Sequence, residues 1–131
     1  MKKKVLLILF LALFLGAASA YSKEYQLKKK VGEWEVEVKM DRNPPSLGDN
    51  VIEVEIRDGG GRSVTDAKVV INYYMPPMPR MAPMNYLVDG KLKKEKYRAT
   101  MNFIMSGPWI IVVKMTLSGK TSTVKFNIDV Q

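Results

Sequence analysis

Apolar and polar residues alternate along most of the chain after residue 32, a pattern typical of strands that bury one face. Five runs show it, and their buried positions are expected to be Trp34, Val36, Val38 and Met40; Ile52, Val54 and Ile56; Ala67, Val69, Ile71 and Tyr73; Tyr97, Ala99, Met101 and Phe103; and Val124, Phe126, Ile128 and Val130. A sixth run, 109–117, begins apolar on both faces, which favours a central strand.

Turn-forming residues separate these runs. They occur at 43–48, 58–62, 89–90, 106–108 and 118–120, and no amphipathic helical stretch of useful length lies between them. The pattern predicts an all-β antiparallel β-sandwich of about seven strands, with Trp34 and Trp109 largely buried. A short strand is predicted at 85–88, ending in a turn at Asp89-Gly90.

The first twenty residues have the features of a secretory signal peptide. Three lysines precede the apolar run 5–15, and Ala18-Ser19-Ala20 provides a cleavage site. The run is short for a membrane span, so we expect cleavage after Ala20 rather than an uncleaved anchor. The 111 residues that remain are interpreted as a flexible basic lead or weak edge strand, 21–31, followed by one domain, 32–131.

Composition limits the classes of function. The chain has no cysteine, so an exported domain would be held together by packing without disulfides. With histidine also absent, the common nucleophile–base pairs cannot form, and we expect no enzyme activity. The formal charge is +8, or +5 without the three signal lysines. Export makes nucleic acid an unsuitable partner, and no stable membrane anchor is expected after cleavage.

The segment 75–84 has the most unusual chemistry. Met75, Met78, Met81 and Met84 recur at intervals of three among four prolines. Polyproline II also repeats every three residues, so all four thioethers are predicted to point to one side. Thioethers favour soft metals, above all Cu(I), and Met105 is a candidate extra ligand. Trp109 and Tyr86 are candidate aromatic neighbours of such a site.

The same segment has a second interpretation. Successive methionine Cα atoms lie roughly 9 Å apart in ideal polyproline II, so three thioethers need a bend to share one ion. Methionine also fills irregular gaps and is common at adaptable contact surfaces. The segment is therefore either a soft-metal site or an apolar surface for protein contact.

Several short stretches occur in an order that resembles a known family. They are Pro45-Ser46-Leu47-Gly48-Asp49-Asn50, then Asp58, Gly61 and Asp66-Ala67-Lys68-Val69, then Met75-Pro76-Pro77-Met78, and last Tyr97-Arg98-Ala99 with Phe103-Ile104-Met105-Ser106-Gly107-Pro108-Trp109. Across about 32–117 the chain resembles the YtkA-like family of exported bacterial proteins.

The resemblance implies an immunoglobulin-like sandwich and an exported, most simply periplasmic, location. It also implies association with copper-related and heavy-metal envelope proteins, including efflux adaptors as partners, although the family has no firmly assigned activity. Many members have histidine within the Met-Pro-x-Met segment, whereas Arg80 and Met81 follow it here. That departure leaves Cu(I) and Ag(I) as the metals to consider.

The sequence is therefore compatible with two functions from different classes. One is a non-enzymatic soft-metal binding module, and the other is a structural or protein-interaction domain that uses the Met-Pro segment as an apolar contact. A polysaccharide-binding or surface-adhesion domain is a third hypothesis, because immunoglobulin-like folds also host those functions.

Overall fold

The computed structural model describes residues 24–131, which form eight strands. The strands are β1 (Tyr25–Val31), β2 (Trp34–Met40), β3 (Gly48–Arg57), β4 (Lys68–Tyr74), β5 (Asn85–Lys93), β6 (Lys96–Phe103), β7 (Gly107–Leu117) and β8 (Lys120–Val130). Within these residues no helix is long and apolar enough to cross a membrane. The predicted signal peptide, 1–20, lies outside the described residues.

All neighbouring strands pair antiparallel in the order β1-β2-β3-β6-β5-β4-β7-β8. Strand β5 joins the two sheets of the sandwich, because Asn85–Gly90 pair with β4 and Lys91–Lys93 pair with β6. The all-β antiparallel prediction is confirmed, with one strand more than the seven expected. That strand is β1, so the edge-strand interpretation holds for 25–31 and the flexible lead does not extend through them.

The core consists of the inward faces that the period-two pattern predicted. Every inward position of the five runs is buried except Trp34, and Trp109 is completely enclosed. The prediction for Trp34 is wrong, because this side chain is only partly buried. Trp34 is the first residue of β2 and pairs with Val31 beside the β1–β2 turn, so its side chain lies at the margin of the core.

Gly90 corrects another prediction. Asp89 and Gly90 lie inside β5 instead of forming a turn, and the hairpin turn is Lys94-Glu95, both with positive φ. A Cβ added at Gly90 would lie 3.0 Å from Val69 Cγ1 and 3.3 Å from the Val69 carbonyl oxygen. The glycine therefore permits close approach of the backbones where β5 passes from β4 to β6.

Because consecutive strands run in opposite directions, their connections alternate between two ends of the sandwich. The loop end comprises the connections 41–47, 75–84 and 104–106, and the turn end comprises 32–33, 58–67, 94–95 and 118–119. Every candidate methionine belongs to the loop end, so the fold gathers the unusual chemistry of the sequence at one end of the molecule.

We expect Gly90→Ala to destabilise the protein by about 1–3 kcal/mol, because the added methyl group collides with Val69 and neither backbone can easily move. Gly59→Ala is the matched control, since its Cβ would meet only the Glu33 carbonyl oxygen at 3.9 Å. Urea unfolding of both variants measures the difference. Equal stability of the two variants would contradict the close approach proposed at Gly90.

Tyr97 is expected to make the protein less stable at alkaline pH. Its hydroxyl accepts a hydrogen bond from Ala67 N–H at 2.9 Å. Burial, aided by the charge of Asp66, raises its pKa above the ordinary 10.0 against the opposing effect of that hydrogen bond. The folded protein favours the neutral phenol of Tyr97, so the pKa of this group is higher in the folded than in the unfolded chain. The contribution of Tyr97 to stability is therefore complete below pH 10.0, the ordinary pKa, and decreases as pH rises through the higher pKa of the folded state.

Denaturant unfolding at a series of pH values tests this effect of Tyr97. Tyr97→Phe should lose about 1–3 kcal/mol at neutral pH, because Ala67 N–H is left without its acceptor. The variant should also show a shallower decline in alkaline solution. A decline as steep as in the wild type would assign the alkaline effect to another group, such as Tyr25, whose pKa burial also raises.

Candidate functional site

The Met-Pro loop, residues 75–84, connects β4 to β5 and is closed by two backbone hydrogen bonds. At its base, Met75 N–H donates to the Met84 carbonyl oxygen at 3.0 Å, and at its tip, Met81 N–H donates to the Met78 carbonyl oxygen at 3.3 Å. The tip has the features of a type II turn, with Pro79 second and Arg80 third at φ 66°. The loop is therefore a hairpin folded back on itself.

This closure corrects the predicted polyproline II run. A straight segment would space the methionines along a line, but the turn at Pro79-Arg80 reverses the chain between Met78 and Met81. The thioethers share one region because the two arms of the hairpin face each other, and not because a helix repeats every three residues. The bend that a shared ion requires is therefore present in the loop.

All four methionines of the loop line one cavity of about 240 Å³. Its remaining walls are Tyr74, Pro76, Pro77, Ala82, Pro83 and Asn85. Met75 is 6% exposed at the base and Met84 is partly buried, whereas Met78 and Met81 are 36% and 39% exposed at the tip. The site thus has one buried and one partly buried thioether at its base and two exposed thioethers at its tip.

The other predicted participants are not brought into this cavity. Met105 lies on the β6–β7 connection, is partly buried against the core, and does not line the cavity. Its carbonyl oxygen accepts a 2.8 Å hydrogen bond from Trp109 Nε1, which is a structural role. Neither Trp109 nor Tyr86 lines the cavity, and Trp109 has no exposed surface.

An aromatic cluster supports the loop end from inside the sandwich. Tyr73 stacks on Tyr86 with ring centroids 5.3 Å apart, and Phe103 meets Trp109 edge-on at 5.1 Å. Tyr73 also contacts both Phe103 and Trp109. Because these large rings lose little conformational freedom on packing, they provide a rigid base for the connections above them.

The start of the loop is also held against the neighbouring connection. A Cβ built on Gly107 would lie 3.3 Å from the Met75 methyl group, so glycine leaves the space that this side chain occupies. Met75 is therefore anchored by burial, by its backbone hydrogen bond to Met84 and by the β6–β7 connection.

The chemistry of the cavity is neutral and soft. Its walls contribute thioethers and proline, alanine, tyrosine and asparagine groups, with no carboxylate, imidazole or thiolate. Among residues 24–131, no group of three or more His, Cys, Asp or Glu residues is placed to hold a metal ion. The donor set therefore fits Cu(I) or Ag(I) and does not fit metals that prefer oxygen or nitrogen ligands.

Two polar features of the loop end escaped sequence reasoning. Asn50 is completely buried, and its amide donates to the Ser46 and Gly48 carbonyl oxygens while its Oδ1 accepts from Ser46 N–H. It fixes the 41–47 connection, but a lone asparagine within a strand pattern gives no signal of this. The left-handed Arg80 could have been anticipated, since proline at 79 favours a turn there.

A family model described as YtkA-like matches residues 28–114. The chain belongs to the YtkA-like family. The match begins in β1 and includes the Met-Pro loop, the β6–β7 connection and most of β7, so the predicted family is confirmed over a span that overlaps most of the predicted 32–117. No curated protein matches the chain.

A solved structure shares the fold of this YtkA-like chain. The crystal structure of the soluble domain of PmoD from Methylocystis sp. (Rockwell) superposes with a TM-score of 0.57. The alignment covers 80% of this chain and 97% of that domain, at 15% sequence identity. At this identity the likeness establishes a common sandwich architecture and nothing about ligands.

Oxidation should distinguish the inner and outer methionines. We expect limited hydrogen peroxide to convert Met78 and Met81 to sulfoxides several-fold faster than Met75, because their sulfur-bearing side chains are more exposed. Trypsin cleavage after Arg80 separates Met75 and Met78 from Met81 and Met84, so each peptide compares an inner with an outer methionine. Peptide mass spectrometry measures the rates. Equal rates within both peptides would contradict the closed loop.

Proposed function

We propose that this chain is an exported, non-enzymatic module of bacterial envelope metal handling that binds one Cu(I), or Ag(I), in its Met-Pro loop. The observation that carries the proposal is that Met75, Met78, Met81 and Met84 line a single cavity without any charged donor. A set of neutral thioethers suits a soft monovalent ion. The signal peptide predicted from the sequence and membership of the YtkA-like family support a periplasmic location, and partners would include envelope efflux proteins.

Each thioether has a distinct part in this proposal. The backbones of Met75 and Met84 are joined at the base of the loop and their side chains are buried and partly buried, so they would supply the inner ligands. Met78 and Met81 are accessible, so they would make the first contact with the ion and release it. Because thioethers carry no proton to lose, affinity should be nearly constant between about pH 5 and pH 8, unlike that of an imidazole or thiolate site.

Calorimetric titration of the processed protein with Ag(I) tests the metal site. We expect one ion per chain, and the fourfold variant M75L/M78L/M81L/M84L should lose about tenfold or more in affinity, because leucine keeps the apolar volume and removes the sulfur. M40L/M101L/M115L is the matched control, since it replaces three fully buried methionines on β2, β6 and β7. Equal silver affinity of the fourfold variant and the wild type would refute the proposal.

Met105 has its own variant in this experiment. We expect Met105→Leu to leave silver affinity unchanged, because Met105 does not line the cavity. A loss of affinity would instead assign it as the extra ligand that the sequence suggested.

The exposure of Met78 and Met81 beside an apolar cavity favours a second function, a contact surface for another protein. The fourfold leucine variant also distinguishes this function, because leucine preserves the apolar contact. If that variant restores full copper or silver tolerance to a strain that lacks the gene, the loop acts through shape and hydrophobicity and not through sulfur.

A further inference from the structure

The distribution of prolines and exposed apolar side chains divides the molecule into two unlike ends. All seven prolines of the chain lie in, or within two residues of, the three connections of the loop end. Among the described residues the exposed large apolar side chains are Leu47, Met78, Met81, Leu87, Leu92 and Ile104. Four of these six belong to the same three connections, and the other two lie on β5. The four connections of the turn end, all within residues 24–131, contain no exposed large apolar side chain.

Strand pairing and a side-chain contact join the three connections into one surface. Gly48 of β3 pairs with Phe103 of β6. Leu47 and Ile104 directly flank this pair at the ends of the two neighbouring strands, and they are 50% and 58% exposed. The Met75 methyl group packs at Gly107, which places the Met-Pro loop beside the β6–β7 connection. Gln131 N–H donates to the Pro45 carbonyl oxygen at 2.9 Å and ties the 41–47 connection to the end of β8.

The charges of this surface indicate what would cover it. Across 41–47, 75–84 and 104–106 the cations are Arg42 and Arg80, although the chain has far more lysines than arginines. The single acid of these connections, Asp41, already accepts a 2.9 Å hydrogen bond from Val51 N–H. Arginine and methionine are enriched, and lysine is depleted, at the centre of protein interfaces. The composition therefore fits a protein partner that bears carboxylates.

Arg80 provides an independent indication. Its φ of 66° lies in the left-handed region that a glycine would adopt more readily, so the turn itself does not account for an arginine at this position. The side chain is exposed at the loop tip, where it raises the positive potential beside Met78 and Met81. A guanidinium held on a stiff turn is suited to pairing with a carboxylate of a partner.

We propose that the three connections of the loop end form one docking surface for a protein that presents apolar side chains together with carboxylates. This inference deepens the second function above and does not depend on metal binding. The prolines lower the conformational entropy that the loops would lose on binding. A second copy of the chain is a poor occupant, because an end-to-end dimer would bring like-charged arginines together. A lipid surface is also a poor fit, because the three connections contain no Trp, Tyr, Phe or Lys.

A displayed library of random peptides, selected against the metal-free processed protein in the presence of a chelator, tests the docking surface. We expect enrichment of sequences that combine Leu, Phe or Met with Asp or Glu, and weaker binding as salt concentration rises. R42Q/R80Q and L47S/I104S should each weaken binding of the selected peptide by about tenfold or more, because they remove the charged and apolar contacts separately. Neither variant alters the four loop methionines, so this experiment and the silver titration can fail independently.

The matched control is K94Q/K120Q, which removes two positive charges at the opposite end of the sandwich, one in the β5–β6 turn and one on the first residue of β8, and should leave peptide binding unchanged. Arg80→Gly provides a second variant, because glycine readily adopts the observed backbone conformation and lacks the guanidinium. We expect its melting temperature to equal that of the wild type and its peptide binding to be weaker. The proposal is overturned if no peptide is enriched, if the enriched peptides lack acidic residues, or if the control weakens binding equally. Binding to phosphatidylglycerol vesicles through Arg42 and Arg80, or dimerisation through the same residues, would overturn it in favour of a membrane or a second copy.

Discussion

Burial of one face of each strand is the interaction on which the rest of the structure depends. The chain contains no cysteine, so no disulfide can support the sandwich, and the apolar faces must supply the stabilisation. Met101, Trp109, Ile111 and Met115 lie within this core with no exposed surface. Since side chains alternate along a strand, burying one face leaves the other in water, where Glu37 lies between Lys28 and Lys39.

The strictly antiparallel order has a consequence for the two ends. Each strand returns the chain to the opposite end, so the connections at one end come from alternate positions along the sequence. Glycine and charged residues form the turn end, and proline, methionine and other apolar residues form the loop end. Residues as distant in sequence as Leu47 and Ile104 thereby share a surface, supported from within by the aromatic cluster around Trp109.

Metal binding and protein docking would use the same loop in different ways. A bound ion needs the four sulfur atoms and the closed hairpin, whereas a docked protein needs the exposed surface of all three connections and the two arginines. The cationic Arg80 at the tip opposes a bound cation but attracts an acidic partner. A module that transfers a soft ion would benefit from both features, because a partner that supplies negative charge would offset the repulsion near the mouth of the site.

The sequence by itself determined the strand faces, the family and the concentration of soft ligands. Alternation of apolar residues identifies buried positions because the side-chain period of a strand is two, and this rule failed only at the strand end, at Trp34. The interval of three drew attention to Met75, Met78, Met81 and Met84, which line one cavity, although the inferred polyproline II geometry was wrong.

Only the tertiary structure decided how those residues meet. The sequence predicted that Gly90 belongs to a turn, but it lies inside β5. There its backbone comes close to Val69, a contact that the residues around Gly90 in the sequence do not reveal. Met105 lies on the connection whose Gly107 packs beside Met75, yet it does not line the cavity, and its carbonyl oxygen accepts a hydrogen bond from Trp109. The shared surface at the loop end likewise depends on which strands become neighbours, and β3 with β6 and β4 with β7 are pairs that lie far apart in the sequence.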